Sequence, residues 1–174
     1  MDLSAEGFMF DFDPRRLEKL AALRESGVEP YPNGQSVTHR LAELIVAGGD
    51  KDDVALKADV TTEFCIAGRL RFKNEMGKAG FARIQDESGR IQIFVRKNDL
   101  GDEAFDAVWK KLDLGDWVWA RGTLMRTRKG ELSLRCAELQ LYAKCIESLP
   151  DKHKGFTDPE QRQRMRYLDL FINE

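Results

Sequence analysis

A period of two runs through the middle of the chain and gives way to helical spacing on either side. From Phe64 to Lys73, Phe64, Ile66, Leu70 and Phe72 alternate with Ala67, Arg69, Arg71 and Lys73, the pattern of a strand with one face inward. In the next run Ala82 and Ile84 point in while Phe81, Arg83 and Gln85 point out. In the third, Ile91, Ile93 and Val95 point in while Gln92, Phe94 and Arg96 point out. The period then changes: Phe105, Val108, Trp109 and Leu112 recur at helical intervals, so one helix over Asp102–Leu112 interrupts the strands. Asp113-Leu114-Gly115-Asp116 turns into a fourth strand, Trp117–Thr127, and Arg128-Lys129-Gly130 turns into a fifth, Glu131–Leu141.

Three strands, a helix and two more strands in this order predict an OB-fold, a five-stranded Greek-key barrel. The fold class is mainly β with flanking helices: the barrel, a helix between strands 3 and 4, and an N-terminal helical extension. Gly68 and Gly122, inside strands, fit the bends that close a small barrel. Boundaries follow at 1–58 for the extension, 59–146 for the barrel and 147–174 for a linker and helix. In the extension, Asp13-Pro14 opens a helix to Ser26 with Leu17, Leu20 and Ala21 as its apolar stripe, and Gly27 stops it. Thr38 caps a second helix carrying Leu41, Leu44 and Ile45 up to Gly48-Gly49, and Asp50–Asp59 reads as a surface loop. Trp117 and Trp119 read as packing for these helices. At the far end Asp158-Pro159 starts a helix over Glu160–Phe171 with Met165, Leu168 and Phe171 on it, and a chain stopping there reads as a piece of something longer.

Charge sharpens this picture. The formal net charge is −2, yet Thr62–Lys97 holds eight Lys/Arg against four acids, a local +4 that leaves −6 elsewhere. A basic stripe on an acidic body steers a polyanion to one face. Paired as a meander, the three strands collect Arg69, Arg71, Lys73, Phe81, Arg83 and Gln92 outward, a residue type each for the phosphate, the π-face and the edge of an unpaired base. The plain alternative is an ordinary solvated sheet surface, with Phe81 an exposed strand aromatic, Gln92 a solvated amide, and Glu131 the partner of Lys129 or Arg135. Asp86 and Glu87 sit in a turn sequence and read as turn formers.

Cys65, Cys136 and Cys145 form no C-x-x-C and suit reduced thiols in the cytoplasm. With only His39 and His153, a metal site is not expected. The acidic start MDLSAEGFMFDFD has no signal-peptide pattern, and no apolar run approaches the ~18 residues of a membrane span. Phosphate-loop, dinucleotide and nucleophile-elbow motifs are absent, so no catalytic residue is assigned.

LEKLAALRESGVEPYPN, IAGRLRFKNEMGKAGFARIQDESGRIQIFV, LDLGDWVWARGTLMRTRKGELSL and LPDKHKGFTDPEQRQRMRYLDLFIN together resemble the N-terminal anticodon-binding region of bacterial class II lysyl-tRNA synthetases. The resemblance implies a tRNA(Lys) anticodon stem-loop as partner. It implies a longer homodimeric parent enzyme whose class II catalytic domain, with its motifs, is absent from this sequence and would use ATP and magnesium; no cofactor is expected in this chain. By position Phe81 matches the aromatic that stacks on the central anticodon base, and Gln92 the amide that reads a uridine edge. Glu131 matches an acid that contacts an anticodon base, and Arg69 a strand-one arginine shared with the aspartyl and asparaginyl enzymes. Lys73-Asn74 stands where many bacterial relatives carry two arginines, which removes a planar bidentate donor. Two rivals remain open: a stand-alone RNA-binding protein, and the same module in an aspartyl or asparaginyl enzyme.

Overall fold

The alternation over residues 64–96 becomes one wall of a closed barrel. A computed structural model describes residues 12–59, 61–147 and 159–172. The strands are β1 (Phe64–Met76), β2 (Ala79–Gln85), β3 (Arg90–Arg96), β4 (Trp117–Arg126) and β5 (Leu132–Ala143), in spatial order β1-β2-β3-β5-β4 with β4 pairing back to β1. All pairings are antiparallel except β3 with β5, which is parallel. This is the OB-fold barrel expected from the order of elements.

Ile66, Leu70, Ala82, Ile84, Ile91, Ile93, Val95, Val118, Ala120 and Leu134 are buried inside it. Each large apolar side chain so buried contributes ~1.5–3 kcal/mol. Slipping β3 by one residue would exchange Ile91, Ile93 and Val95 for Gln92, Phe94 and Arg96, so the alternation fixes the register. At Gly122 the β4–β5 register shifts, and a Cβ there would meet the Arg135 carbonyl oxygen at 1.9 Å; only glycine permits that approach.

β1 departs from simple alternation. A bulge between Leu70 and Phe72 leaves Arg71 as the extra residue, so Phe72 pairs with outward Arg83 and Lys73 with inward Ala82. The expected assignments of these two are therefore reversed: Phe72 is exposed, and Lys73 turns off the outer face.

The helix α1 (Pro14–Glu25) starts where expected, with the Asp13 carboxylate accepting from Arg15 N at 3.0 Å, and ends before Gly27 at φ +74°. Its buried face is Leu20 and Leu23 and leaves the predicted Ala21 exposed. In α2 (Leu41–Gly48) the cap differs from expectation. Thr38 instead binds the backbone of Cys65 on β1, and the first amides of the helix are satisfied from the β2–β3 turn, Leu41 N donating to Asp86 (2.9 Å) and Ala42 N to the Ser88 hydroxyl (3.0 Å). Burial would raise the Asp86 carboxyl, but donation from Leu41, Ser88 and Gly89 outweighs it and holds the group below the ordinary carboxylate value. Asp86 is thus a turn and cap residue. The predicted loop at 50–59 contains a further helix, α3 (Asp53–Ala58), because Asp52 caps Ala55 N at 2.7 Å and Leu56 finds a place in the core.

After β3 come α4 (Lys97–Leu100) and α5 (Asp102–Ala107), and a 3-10 turn at Trp109–Lys111. The expected continuous helix therefore tightens at Val108, a common ending for a short helix, while Phe105, Val108, Trp109 and Leu112 are all buried as their spacing required. The C-terminal helix is likewise divided, into α6 (Pro159–Arg164) and α7 (Arg166–Ile172); the Asp169 carboxylate of α7 pairs with Arg166 within its own helix and with Arg162 across the break at Met165. The Asp158 cap and the side chains of Leu168 and Phe171 lie outside the described residues. Among the described residues no helix is long and apolar enough to cross a membrane.

The extension is joined to the β4–β5 side of the barrel. Trp119 is buried and donates to Ser36 O at 3.0 Å, and Gln35 donates to Gln140 at 2.8 Å. Lys144, just past β5, is fully enclosed. Its Nζ donates to Asp113 (2.7 Å) and Asp116 (2.8 Å), its amide to Pro30 O (3.1 Å), and Lys19 of α1 also reaches Asp113. Cys136 is fully buried, which pushes its thiol up, and Cys65 is half-buried; both are packing residues.

Candidate nucleic-acid interface

Cross-strand register, rather than sequence proximity, assembles the outward face into rows. One row is Asn74, Phe81, Phe94 and Arg135, from β1, β2, β3 and β5. The next is Phe72, Arg83, Gln92 and Ser133, and beyond it lie Arg69, Gln85 and Arg90. The pleat sets this order: residues directly opposite one another on paired strands share a face.

In the first row Phe81 and Phe94 stack, with ring centroids 4.7 Å apart and planes 27° from parallel. Each ring fixes the other, and both remain half-buried rather than sunk in the core. A pair of rings held this way is a ready platform for a flat heterocycle, since every base offers a π-face.

The second row carries a closed set of hydrogen bonds. Gln92 Nε2 donates to Ser133 Oγ (2.8 Å), Ser133 Oγ donates to Glu131 O (3.3 Å), and Arg83 Nη2 donates to Glu131 Oε1 (3.0 Å). Ser133 has one hydroxyl proton and spends it on the Glu131 carbonyl, so its oxygen must accept from Gln92. That fixes the orientation of the Gln92 carboxamide. One N–H is committed, and the carbonyl oxygen with the second N–H makes up the rest of the group.

Beside the third row the arginines crowd together, with Arg71 of the bulge near Arg69 and Arg90. Partial burial pulls the Arg71 guanidinium below its ordinary value, and the like charges of Arg90 and Arg69 pull it further, a positive field that an anion would relieve. Arg69 lies over the Trp117 ring at 5.5 Å. At the other edge, Arg96 and Arg135 both fork onto Asp99 at 2.8–2.9 Å, and these bonds, Arg135 foremost, hold its carboxyl far below the usual range.

Of the residues singled out in the sequence, Phe81, Gln92, Arg69, Arg71, Arg83 and Asn74 share this face, and Glu131 joins it from the base of the β4–β5 loop. Lys73 does not. Its Nζ donates to Lys110 O and Leu112 O, each at 3.3 Å, pairs with Glu75 at 3.6 Å, and sits over Trp109 at 4.9 Å. Burial pulls its pKa down. The bulge at Arg71 is the cause, and strand alternation carries no mark of it. Glu131 pairs with Arg83 rather than with Lys129 or Arg135. Sequence reasoning missed Phe72, Ser133 and Arg135 as members of the face. Phe94 was legible as outward, but its partnership with Phe81 needed the β2–β3 register. Ser133 and Arg135 arrive through the parallel β3–β5 pairing, which joins strands far apart in sequence.

Residues 64–149 match the OB-fold nucleic acid binding domain family. The chain is 54% identical over 157 residues to a lysine–tRNA ligase of Burkholderia vietnamiensis, 53% to that of Burkholderia multivorans and 52% to that of Burkholderia thailandensis. Each alignment covers 90% of this chain and 30% of the relative, so the chain spans about a third of the length of the curated relatives it matches.

Proposed function

Residues 64–149 belong to the OB-fold nucleic acid binding family, and from that premise we propose that the chain reads the anticodon of tRNA(Lys) as the recognition part of a lysine–tRNA ligase. The observation that carries the reading is the fixed Gln92 carboxamide beside the Phe81–Phe94 stack. A uridine resting on Phe81 offers an N3–H donor flanked by two carbonyl acceptors, the complement of an amide that brings both a carbonyl and an N–H. A freely turning amide could also pair with cytidine, through its N3 acceptor and its amino group; cytidine loses the match because Ser133 holds the carboxamide in one orientation, and with the carbonyl facing N3 two acceptors would oppose each other. Glu131, an acceptor held by Arg83, selects an exposed N–H. Arg69, Arg71 and Arg90 supply the phosphate contacts.

On this reading residues 59–146 recognise the RNA, 1–58 brace the barrel, and 147–174 lead toward the part of the protein that activates lysine with ATP and magnesium. That longer protein is a cytoplasmic homodimer. A fluorescence anisotropy titration of the chain against an anticodon stem-loop bearing UUU tests the proposal. Binding should exceed that of GUC or GUU loops and weaken steeply with salt. Equal affinity for the three loops would return the module to a general RNA binder, and a flat salt response would remove the role of the arginines.

A further inference from the structure

The Asp99 clamp is not explained by base reading or by the core. Asp99 lies in α4, directly after β3, and its side chain is 14% exposed at the rim of the outward face. Arg96 gives it Nε and Nη2, each at 2.8 Å, and Arg135 gives it Nε at 2.9 Å and Nη2 at 2.8 Å. Four charge-assisted bonds on one carboxylate fix the planes of both guanidinium groups. One of those planes lies over an aromatic: the Arg96 guanidinium carbon is 5.9 Å from the centroid of Phe94, the ring that stacks on Phe81.

A carboxylate here works against phosphate binding. It repels the backbone of an incoming strand and occupies two guanidinium groups that would otherwise contact phosphates. We propose that Asp99 is a specificity-determining residue that acts at a distance from the base: it withdraws Arg96 and Arg135 from phosphate contact and uses Arg96 to brace the Phe94–Phe81 stack. This rests on the anticodon-reading function proposed above. Charge contributes affinity for any RNA, whereas stacking and edge contacts tell one loop from another. Lowering the first term raises the share of the second. Asp99 is a positioning residue, acting through Arg96 and Phe94.

The test compares the chain with its Asp99→Asn and Arg135→Gln variants, each titrated with UUU and CCC stem-loops across a salt series, with circular dichroism to follow folding. The wild-type chain must prefer UUU; if it does not, the function itself is wrong, independently of the clamp. Asp99→Asn removes the charge at constant shape. It should bind the CCC loop more tightly than wild type, steepen the dependence of log K on log salt by up to ~1.4 as two arginines return to phosphates, and reduce the UUU preference at least ~5-fold as the stack loosens. Arg135→Gln removes one of the two cations that share the Asp99 carboxylate; affinity for both loops should fall by the same small factor, but a guanidinium held off the phosphates adds no counterion release, so the salt slope should change by less than ~0.3. Equal weakening of both loops by Asp99→Asn at unchanged slope would make Asp99 merely structural and overturn the proposal, as would no change at all. Should Asp99→Asn fail to fold, Arg135→Gln still decides: a slope shallower by ~0.7 shows that Arg135 contacts phosphate and that the clamp does not withdraw it.

Discussion

Two of the charged clusters on the outside of this barrel are held in different ways. Beneath the N-terminal extension, Lys144 and Asp116 are fully enclosed and bonded at 2.8 Å, with Asp113 and Lys19 completing the group. Across β1, β2 and β3 the pairs are left at the surface: Arg83 and Glu131, bonded at 3.0 Å, are 55% and 41% exposed. The Lys144–Asp116 pair at the centre of the first group is shut off from solvent and cannot meet a ligand; only Lys19 at its edge is open, 41% exposed. In the second, water screens each pair and its net contribution to stability is small, so a ligand can compete for it. Enclosure builds a joint, and exposure builds a reading surface.

Lys144→Met should have the largest effect. It leaves Asp116 enclosed without its counter-ion, a loss of ~3–5 kcal/mol, read as a shift of the urea midpoint. A change under ~1 kcal/mol would mean that the joint is not held by charge. Phe81→Ala comes next and tests the other surface. It should lower affinity for the UUU loop by ~1–3 kcal/mol through lost stacking and lower stability by only ~0.5–1.5 kcal/mol through the lost ring pair. Unfolding of this variant would place Phe81 in the core and dissolve the contrast. Gln92→Ala should cost ~0.5–1.5 kcal/mol in binding and reduce discrimination between uridine and cytidine more than affinity. Ser133→Ala should follow it in discrimination, because the serine only orients the amide.

Acid should do least. Burial would raise the Asp113 carboxyl, but hydrogen bonds from Lys144 and Lys19 outweigh it and hold it below its ordinary value. A carboxylate depressed on folding contributes stability that is complete above its unfolded value of ~3.9 and is lost as pH falls through its folded value. The melting temperature should therefore not vary through Asp113 between pH 5 and 7, where its contribution is complete, and should fall only below pH ~4. A transition of this joint near pH 6 would contradict the assignment.

Much of the outward face is legible in the sequence where a local rule applies. Alternation put Phe81, Arg83 and Gln92 outward, and the resemblance to a synthetase region singled out Glu131. Rules of this kind fail where a single residue breaks the local period. The extra residue at Arg71 carries no signature of its own, and it exchanged Phe72 and Lys73 between the faces. Capping rules failed similarly at Thr38, because the donors of α2 were satisfied from a turn 45 residues away in the chain.

The order of the five strands, most of the inward apolar set and the basic character of the β1–β3 stretch follow from the period and composition of adjacent residues; α3 and the outward turn of Phe72 do not. What the outward residues do to one another is set by the tertiary structure. Ser133 fixes Gln92 through the parallel β3–β5 pairing, Arg135 meets Asp99 across 36 residues, and Lys144 meets Asp116 across 28. Such partnerships depend on closing the barrel, and closure is a property of the registers of all five strands together, which no local segment carries.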